Sequence, residues 1–138
     1  MVAIFCIDDY NGMMFNHRRQ SKDKILIEDV IELCNGQNIY MSEYTKNLFL
    51  EHENKVGIIT ADSNFLQTAP KGSFCFVEDL NIYSYLDKLD KIIIYKWNRH
   101  YPADLFFDTS ILKNWTLKDI VIFKGASHEK ITREVYVK

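Results

Sequence analysis

The sequence lacks any apolar run close to the roughly 20 residues that a membrane-spanning helix needs, so we expect no contact with a membrane. It also lacks a large excess of either charge: the formal net charge is −2, which excludes a global basic field that would attract nucleic acid. The opening residues contain no basic segment and no small-residue cleavage site, so no signal peptide is indicated and a cytoplasmic location is expected. A length of 138 residues, 47% of them hydrophobic and 26% charged, indicates a single globular domain spanning residues 1–138.

Cysteine is scarce as well, and the three cysteines form no CxxC motif. Cys6 and Cys75 lie in apolar segments, and Cys34 ends the apolar face of a predicted helix. This pattern is typical of buried, reduced thiols in a cytosolic protein, and we expect no metal site. The acidic pair Asp8-Asp9 follows a predicted strand, as in some metal sites, but a single acidic pair is a weak signal.

The first part of the sequence alternates between strand-like and helix-like segments. Residues 2–7 form a continuous apolar run, which is typical of a strand buried on both faces. Residues 8–20 break this pattern and predict a long loop with a turn at Asn11-Gly12. Residues 21–34 carry apolar side chains at helical spacing, with Ser21 as the predicted N-cap and Asn35-Gly36 as the signal that ends the helix.

The remaining segments continue this alternation and then change character. We predict strands at residues 38–41, 56–60, 73–77 and 91–95, helices at residues 42–50 and 80–90, and an irregular segment at residues 62–72. After a loop flanked by aromatic residues, residues 115–123 and 131–137 predict a hairpin. This order predicts an α/β fold, in which a mostly parallel sheet has flanking helices and an antiparallel C-terminal hairpin.

Several short motifs resemble the dihydrofolate reductase family, and together they extend over nearly the whole chain. The opening strand followed by Asn11-Gly12 is similar to that family's first strand and mobile active-site loop. SFCFVEDLNIYSYLDKLDKIIIY is similar to its strand, glycine pair, helix and next strand, with Tyr83 matching a helix tyrosine. DLFFD is similar to the family's Asp-Thr-Phe-Phe-Pro motif, and Trp115 matches a tryptophan shortly after it. The resemblance implies a dihydrofolate reductase-like fold.

The same resemblance marks the positions at which this chain departs from the family. Glu78-Asp79 stands where the family has the glycine pair beside the NADPH pyrophosphate, and carboxylates there would repel it. The family's Gly-Arg-x-Thr motif reads SEYT, so that only Thr45 is retained as a ligand-binding residue. Asp23 is the nearest match to the catalytic acid. The resemblance therefore implies the scaffold without ordinary reductase activity, with no cofactor expected and NADPH disfavoured.

A second resemblance rests on three polar phrases. FNHRRQS, WNRHYPAD and SHEKIT are similar to phrases in short proteins that carry the name ribonuclease Z. True ribonuclease Z enzymes are metallo-β-lactamase-fold hydrolases with an HxHxDH zinc motif, and this sequence has no such motif. The second resemblance therefore implies no mechanism.

Three polar stretches fall on loops that the dihydrofolate reductase topology would bring together beside the active-site mouth. The catalytic candidates in these stretches are Asp23, His17, His100 and His128, and the ligand-binding candidates are Arg18, Arg19, Asn98, Arg99 and Lys130. Arginine beside histidine suits the recognition of phosphate or carboxylate. Two histidines also suit metal-free acid–base cleavage of RNA, with Trp97 and Tyr101 available to stack a base.

Each candidate also has a simpler structural interpretation as a loop, turn or capping residue. Loop arginines are usually solvated, and a histidine in a hairpin turn usually makes hydrogen bonds within that turn. Asn98-Arg99 can fix its own loop, with Asp104 as its partner. Glu78-Asp79 is interpreted first as the N-cap of the helix that follows.

The leading hypothesis is a protein that has lost the NADPH site and binds a small anionic or nucleotide-like ligand, in the cleft or on the loops that carry arginine and histidine. A divergent pterin or flavin reductase that uses Asp23 is one alternative. A metal-independent ribonuclease or RNA-binding protein is another, and a non-catalytic interaction module is the third. The sequence leaves open whether the protein is an enzyme and which oligomeric state it adopts.

Overall fold

The computed structural model describes residues 1–52 and 59–138. The strands in these residues are β1 (Val2–Ile7), β2 (Gly12–Phe15), β3 (Arg18–Arg19), β4 (Ile39–Met41), β5 (Ile59–Ala61), β6 (Phe74–Phe76), β7 (Lys91–Lys96), β8 (Leu105–Phe106), β9 (Thr116–Phe123) and β10 (Ile131–Val137). The α-helices are α1 (Lys24–Cys34), α2 (Glu43–Phe49) and α3 (Phe65–Thr68), and 3₁₀ helices span Leu50–His52, Tyr83–Lys88 and Thr109–Asn114. No helix in the described ranges combines the length and the hydropathy that crossing a bilayer demands.

Seven strands form the central sheet, in the order β5-β4-β6-β1-β7-β10-β9. The neighbours from β5 to β7 pair in parallel, whereas β10 is antiparallel to both β7 and β9. The predicted α/β class, with its mostly parallel sheet and antiparallel C-terminal hairpin, is therefore confirmed. A second, three-stranded antiparallel sheet has the order β3-β2-β8.

β1 lies inside the central sheet, between β6 and β7, and its side chains enter two hydrophobic cores. Ala3, Phe5 and Ile7 belong to the core on one face, whereas Ile4 belongs to the core on the other. All four are buried, which explains why the strand is apolar along its length instead of alternating with polar residues. Burial of each large apolar side chain contributes roughly 1.5–3 kcal/mol, so β1 is a major source of stability.

α1 begins later than the sequence indicated, because its N-cap is Asp23 and not Ser21. The carboxylate of Asp23 accepts hydrogen bonds from the backbone N–H groups of Ile25 and Leu26. Serine and aspartate accept hydrogen bonds from the first N–H groups of a helix about equally well. Since Ser21 and Asp23 lie two residues apart, tertiary contacts determine which of them is the N-cap. The helix ends as predicted at Asn35, whose φ of 48° lies in the left-handed region.

α1 packs on one face of the central sheet and is also tied to it by Asp29. The two carboxylate oxygens of Asp29 accept hydrogen bonds from Arg133 Nη1 at 2.9 and 2.7 Å. The hydroxyl of Tyr95 donates to the same carboxylate at 2.6 Å. Tyr95 is buried, and burial first, then the negative charge of Asp29, raise the pKa of its hydroxyl. Asp29 therefore joins α1 to β7 and β10.

Several predicted segments differ from the structure. Residues 8–20, predicted as a loop, contain β2 and β3, and residues 62–72 contain α3. The turn between β2 and β3 places Asn16 and His17 at φ values of 50° and 61°, and this left-handed pair suits a two-residue hairpin. The predicted helix at residues 80–90 is a 3₁₀ helix of six residues. The predicted strand at residues 56–60 lies partly outside the described residues.

β9 forms one edge of the central sheet and exposes large apolar side chains. Leu117, Ile120 and Ile122 are 42%, 50% and 58% exposed. Lys118 and Asp119 lie among them, and charged residues on an edge strand oppose pairing with another sheet.

Candidate functional site

The carboxylate of Asp23 accepts six hydrogen bonds from two distant parts of the chain. Two backbone N–H groups donate from the first turn of α1, and the other donors lie in the turn between β9 and β10. Those are the N–H groups of Ala126 and Ser127, the Ser127 hydroxyl and His128 Nδ1. Burial alone would raise the pKa of Asp23, but these hydrogen bonds outweigh burial and hold the pKa well below its usual value. Asp23 is therefore an ionised anchor that is poorly suited to donate a proton.

The turn approaches Asp23 so closely that no side chain fits at Gly125. A Cβ atom there would lie 2.5 Å from Asp23 Oδ2 and 2.8 Å from Ile131 Cδ1. Glycine at this position is therefore required by the close approach of the turn to α1.

His128 connects Asp23 to two hydroxyl groups. Its Nδ1 lies 2.9 Å from Asp23 Oδ2, and its Nε2 lies 3.0 Å from both Ser21 Oγ and the Tyr101 hydroxyl. An ionised carboxylate only accepts hydrogen bonds, so Nδ1 carries a hydrogen, and in the neutral ring Nε2 is an acceptor facing the two hydroxyls. Trp97 stacks on the imidazole with the ring centroids 4.6 Å apart, and His128 is only 3% exposed. The orientation of the ring is thus fixed.

Asp8 holds the loops around this histidine in place. Its Oδ1 accepts from the N–H groups of Tyr10 and Gly12 at 2.9 and 2.7 Å. Its Oδ2 accepts from Gln20 Nε2 at 2.9 Å and from the N–H of Tyr101 at 3.2 Å. Asp8 is buried, and its hydrogen bonds outweigh burial, so that its pKa is lowered. Its oxygens are occupied by these donors, so it organises loops and is not an open metal ligand.

Arg19 and Glu78 form a bidentate ion pair, with N–O distances of 2.8 and 2.9 Å. Thr45 Oγ1 donates to the same carboxylate at 2.8 Å, and the Arg19 guanidinium lies over the ring of Tyr44, 4.3 Å from its centroid. The N-cap position of the following 3₁₀ helix is Ile82, so the interpretation of Glu78-Asp79 as that cap is wrong. Glu78 instead joins β3, α2 and the end of β6.

A narrow cleft is lined both by Ser21 and Asp23 and by the ion pair of Arg19 and Glu78. Met13, Leu26, Leu48, Phe76 and Trp97 contribute apolar walls. The cleft has an open volume of about 360 Å³, but only about 20 Å³ of it admits the centre of a water molecule. That space suits about one water molecule, so a ligand larger than a short chain or a flat ring edge requires the cleft to widen.

Most charged groups in the cleft wall are already satisfied within the protein. Arg19 is paired with Glu78, and Asp23 holds its six donors. Lys22 also lines the cleft, is exposed, and contacts no carboxylate in the described part of the chain. Gln20 Oε1 is buried and has no hydrogen-bond partner among residues 1–52 and 59–138. Among the described residues, the cleft therefore offers a cation without an acidic partner and an acceptor without a donor.

All three predicted polar stretches meet at His128, which contacts Ser21 and Asp23 of the first stretch and Tyr101 of the second. The second and third stretches make further contacts. Asn98 Nδ2 donates to the carbonyl oxygen of Lys130 at 3.2 Å and to Thr132 Oγ1 at 2.8 Å. Arg99 Nη2 donates to the carbonyl oxygen of Ser127 at 3.2 Å. The interpretation of Asn98-Arg99 as loop-fixing residues agrees with these bonds. Their expected partner Asp104 instead accepts from the backbone N–H of Asn16, at 3.0 Å.

The remaining histidine and arginine candidates lie on exposed parts of the surface. The ring of His100 packs edge-on against Tyr10, with the centroids 4.5 Å apart. His17 and Arg18 lie at the exposed turn between β2 and β3, and His17 borders a wide depression with Asp79. No contact in the described part of the chain joins His17 or His100 to His128, so the predicted group of three histidines is not brought together by direct contact.

Ser21 is the site residue whose place the sequence did not indicate. It was expected to cap α1, but its hydroxyl faces His128, whereas Asp23 takes the cap position. No motif spacing links positions 21, 23 and 128, so only the tertiary fold reveals this arrangement. Thr45, predicted to bind a ligand, also takes part in a helix cap, since the Ser42 hydroxyl at the start of α2 accepts from the Thr45 N–H at 3.2 Å.

The described residues bring together no group of three or more histidine, cysteine, aspartate or glutamate side chains arranged to hold a metal ion. No protein-family model matches the sequence, and no curated protein matches it. The structure is similar to that of dihydrofolate reductase from Enterococcus faecalis complexed with NADP(H) and RAB-propyl. The TM-score is 0.62 at 8% sequence identity, and the match covers 99% of this chain and 94% of that chain. The dihydrofolate reductase-like fold is therefore confirmed, whereas nothing supports the resemblance to ribonuclease Z.

Proposed function

We propose that this protein binds a small anionic, nucleotide-like molecule in the narrow cleft, which widens to admit it, and that NADPH is not its cofactor. The observation that carries the proposal is the charge of Lys22, which has no acidic partner in the described residues of the cleft wall. Arg19, Glu78 and Asp23 are satisfied by protein partners, whereas Lys22 has no partner in the described residues. A ligand could place an anionic group beside Lys22 and pair its charge. A ring N–H of the same ligand could donate to Gln20 Oε1 and satisfy that acceptor.

The contacts of Glu78 support the second half of the proposal. Thr45 and Glu78 come from the two motifs that, by resemblance, would face the NADPH pyrophosphate, and their side chains lie 2.8 Å apart. Glu78 occupies the guanidinium of Arg19 and the hydroxyl of Thr45, which are groups that would otherwise bind phosphate oxygens. A phosphate entering here would have to displace a protein carboxylate and then tolerate its charge.

The alternatives have less support. A pterin or flavin reductase would use Asp23 to hold or protonate its substrate, yet this carboxylate already holds six donors and has a lowered pKa. Metal-independent cleavage of RNA needs two histidines at one phosphate, and the described contacts link only His128 to the cluster. An interaction module would use an apolar surface such as the exposed face of β9.

The proposal is tested by thermal unfolding in the presence of nucleoside monophosphates, FMN, folate, NADPH and a short RNA. A ligand present at 100 times its Kd adds about 2.7 kcal/mol, which is a rise in Tm on the order of 8 °C for a chain of this size. We expect a rise with at least one small anionic compound, and Lys22→Ala should weaken that binding about tenfold. Lys24→Ala, which removes a neighbouring exposed lysine outside the cleft, is the control. A panel without any response would refute the proposal.

Removal of the Glu78 side chain is expected to create phosphate binding. In Glu78→Gly the guanidinium of Arg19 and the hydroxyl of Thr45 lose their carboxylate partner and become available. NADPH should then raise the Tm of Glu78→Gly by several degrees but leave the native protein within about 1 °C. Asp79→Gly is the matched control, because it introduces the same residue and leaves the Arg19 pair intact. Stabilisation of the native protein by NADPH, or an equal response of both variants, would contradict the argument.

A further inference from the structure

We propose that Ser21 is the nucleophile of an ester-cleaving reaction, in which Ser21, His128 and Asp23 form a hydrogen-bonded catalytic chain at the cleft. The proposal rests on the placement of these three side chains, and it does not depend on which anionic ligand the cleft binds. It also gives a use to a buried histidine that ligand binding leaves unexplained.

The connectivity is that of an activated serine. Ser21 Oγ lies 3.0 Å from His128 Nε2, and His128 Nδ1 lies 2.9 Å from Asp23 Oδ2. The carboxylate fixes the hydrogen on Nδ1, so Nε2 of the neutral ring can accept the hydroxyl hydrogen of the serine. A nucleophile, a base within hydrogen-bond reach and a third group that orients the base are what covalent acyl transfer requires.

The surroundings hold this chain rigidly. Five further hydrogen bonds fix the Asp23 carboxylate, and Trp97 stacks against one face of the imidazole. His128 and Asp23 are each 3% exposed, whereas Ser21 is only partly buried and lines the cleft. The base is thus shielded from water, while the nucleophile faces the space from which a substrate would approach.

Two backbone N–H groups that follow Ser21 closely in the sequence are candidate donors for a developing oxyanion. The backbone N–H groups of Lys22 and Lys24 donate to no acceptor in the described part of the chain. The N–H of the residue after the nucleophile is a common oxyanion donor in serine hydrolases. The Tyr101 hydroxyl, which lies 3.4 Å from Ser21 Oγ, is a further candidate donor.

The reaction balances with water as the co-substrate. Ser21 Oγ forms a bond to the ester carbonyl carbon while its hydrogen passes to His128 Nε2. The bond from that carbon to the ester oxygen breaks, and the leaving alcohol takes the hydrogen from Nε2. Water then attacks the acyl carbon and gives a hydrogen to Nε2. The bond from that carbon to Ser21 Oγ breaks, Oγ takes the hydrogen from Nε2, and the acid is released. Only about 20 Å³ of the cleft admits the centre of a water molecule, and this narrowness favours a short acyl group, such as acetyl.

The test is covalent labelling with a fluorophosphonate probe, followed by peptide mass spectrometry, together with hydrolysis of p-nitrophenyl acetate. We expect one probe per chain on Ser21 and at least a 100-fold loss of both reactions in Ser21→Ala. Ser84→Ala, which removes an exposed hydroxyl on a 3₁₀ helix, should react at the native rate. Ser21→Cys should regain acyl transfer to p-nitrophenyl acetate, because it restores a nucleophile at the same atom.

Other outcomes would overturn the proposal. Tyr101 offers the competing hydroxyl, since it also lies 3.0 Å from His128 Nε2. The proposal is overturned if the probe labels Tyr101 or does not modify the native protein. It is also overturned if a folded Ser21→Ala variant hydrolyses the ester at the native rate. Loss of labelling in Ser21→Ala would leave the response to anionic ligands intact, so the two proposals fail separately.

Discussion

Replacement of Asp23 with asparagine is expected to remove about 3–5 kcal/mol from the free energy of unfolding at pH 7, because buried donors lose their acceptor. The side chain is the same size, but its NH₂ group would face donors that now bind a carboxylate oxygen. Ser127 N–H and His128 Nδ1 both donate to Oδ2 at 2.9 Å, and no rotation of an amide satisfies all six donors. Since small proteins are stable by only about 5–15 kcal/mol, this is a large fraction of the total.

The loss should depend on pH in a defined direction. The folded pKa of Asp23 is lowered relative to the unfolded value near 3.9, so its stabilisation is fully present above that value. The contribution is lost as the pH falls through the folded pKa. Urea unfolding at pH 7 and at pH 3 should therefore show a smaller gap between the native protein and Asp23→Asn at the lower pH. Asp9→Asn, which changes an exposed carboxylate, is the control. An equal gap at both pH values would refute this account of Asp23.

Replacement of Asp29 with alanine is expected to cost about 3 kcal/mol, because it leaves two donors without their acceptor. The Tyr95 hydroxyl is buried and has its hydrogen bond to Asp29, and Arg133 Nη1 donates to both Asp29 oxygens. Loss of the acceptor costs more at the buried Tyr95 hydroxyl than at Arg133, because Arg133 reaches the surface and can bind water. Chemical denaturation of the purified variant measures the loss.

A double variant separates the buried hydroxyl from the rest of the effect. Tyr95→Phe alone should cost about 1 kcal/mol, but in the Asp29→Ala background it should stabilise, because it removes an unsatisfied polar group. The double variant is therefore expected to be more stable than Asp29→Ala alone. Additive losses from the two changes would show that the Tyr95 hydroxyl finds another partner or water when Asp29 is absent.

The sequence predicted the fold well where one local pattern had one structural solution. The apolar run at residues 2–7 is too short for a buried helix, and the alternation at residues 131–137 is typical of a half-buried strand. The prediction of a loop at residues 8–20 was wrong, because the two-residue hairpin turn at Asn16-His17 has no glycine to mark it. Residues 80–90 have helical spacing, but the structure contains only a short 3₁₀ helix there.

The site was predicted less completely, for a different reason. His128 and Asp23 were both predicted as catalytic candidates on loops that lie near one another, but nothing in the sequence indicated the hydrogen bond between them, which depends on Gly125 letting the hairpin turn touch the start of α1. Arg19 was expected to meet a ligand, but its partner is Glu78 from a distant strand end. Contacts between residues so far apart in sequence have no local signature, so one sequence cannot reveal which charges neutralise one another.

The position of β1 inside the sheet also shapes how the chain is made. Val2 pairs with Phe74 on one side and Lys91 on the other, so both partner strands follow much later in the sequence. A ribosome adds about 5–20 residues per second, which leaves the apolar segment VAIFCI without its neighbours for on the order of ten seconds. Long-range parallel pairing of this kind also slows folding after release. The nascent chain therefore exposes this apolar segment before either of its partner strands has been synthesised.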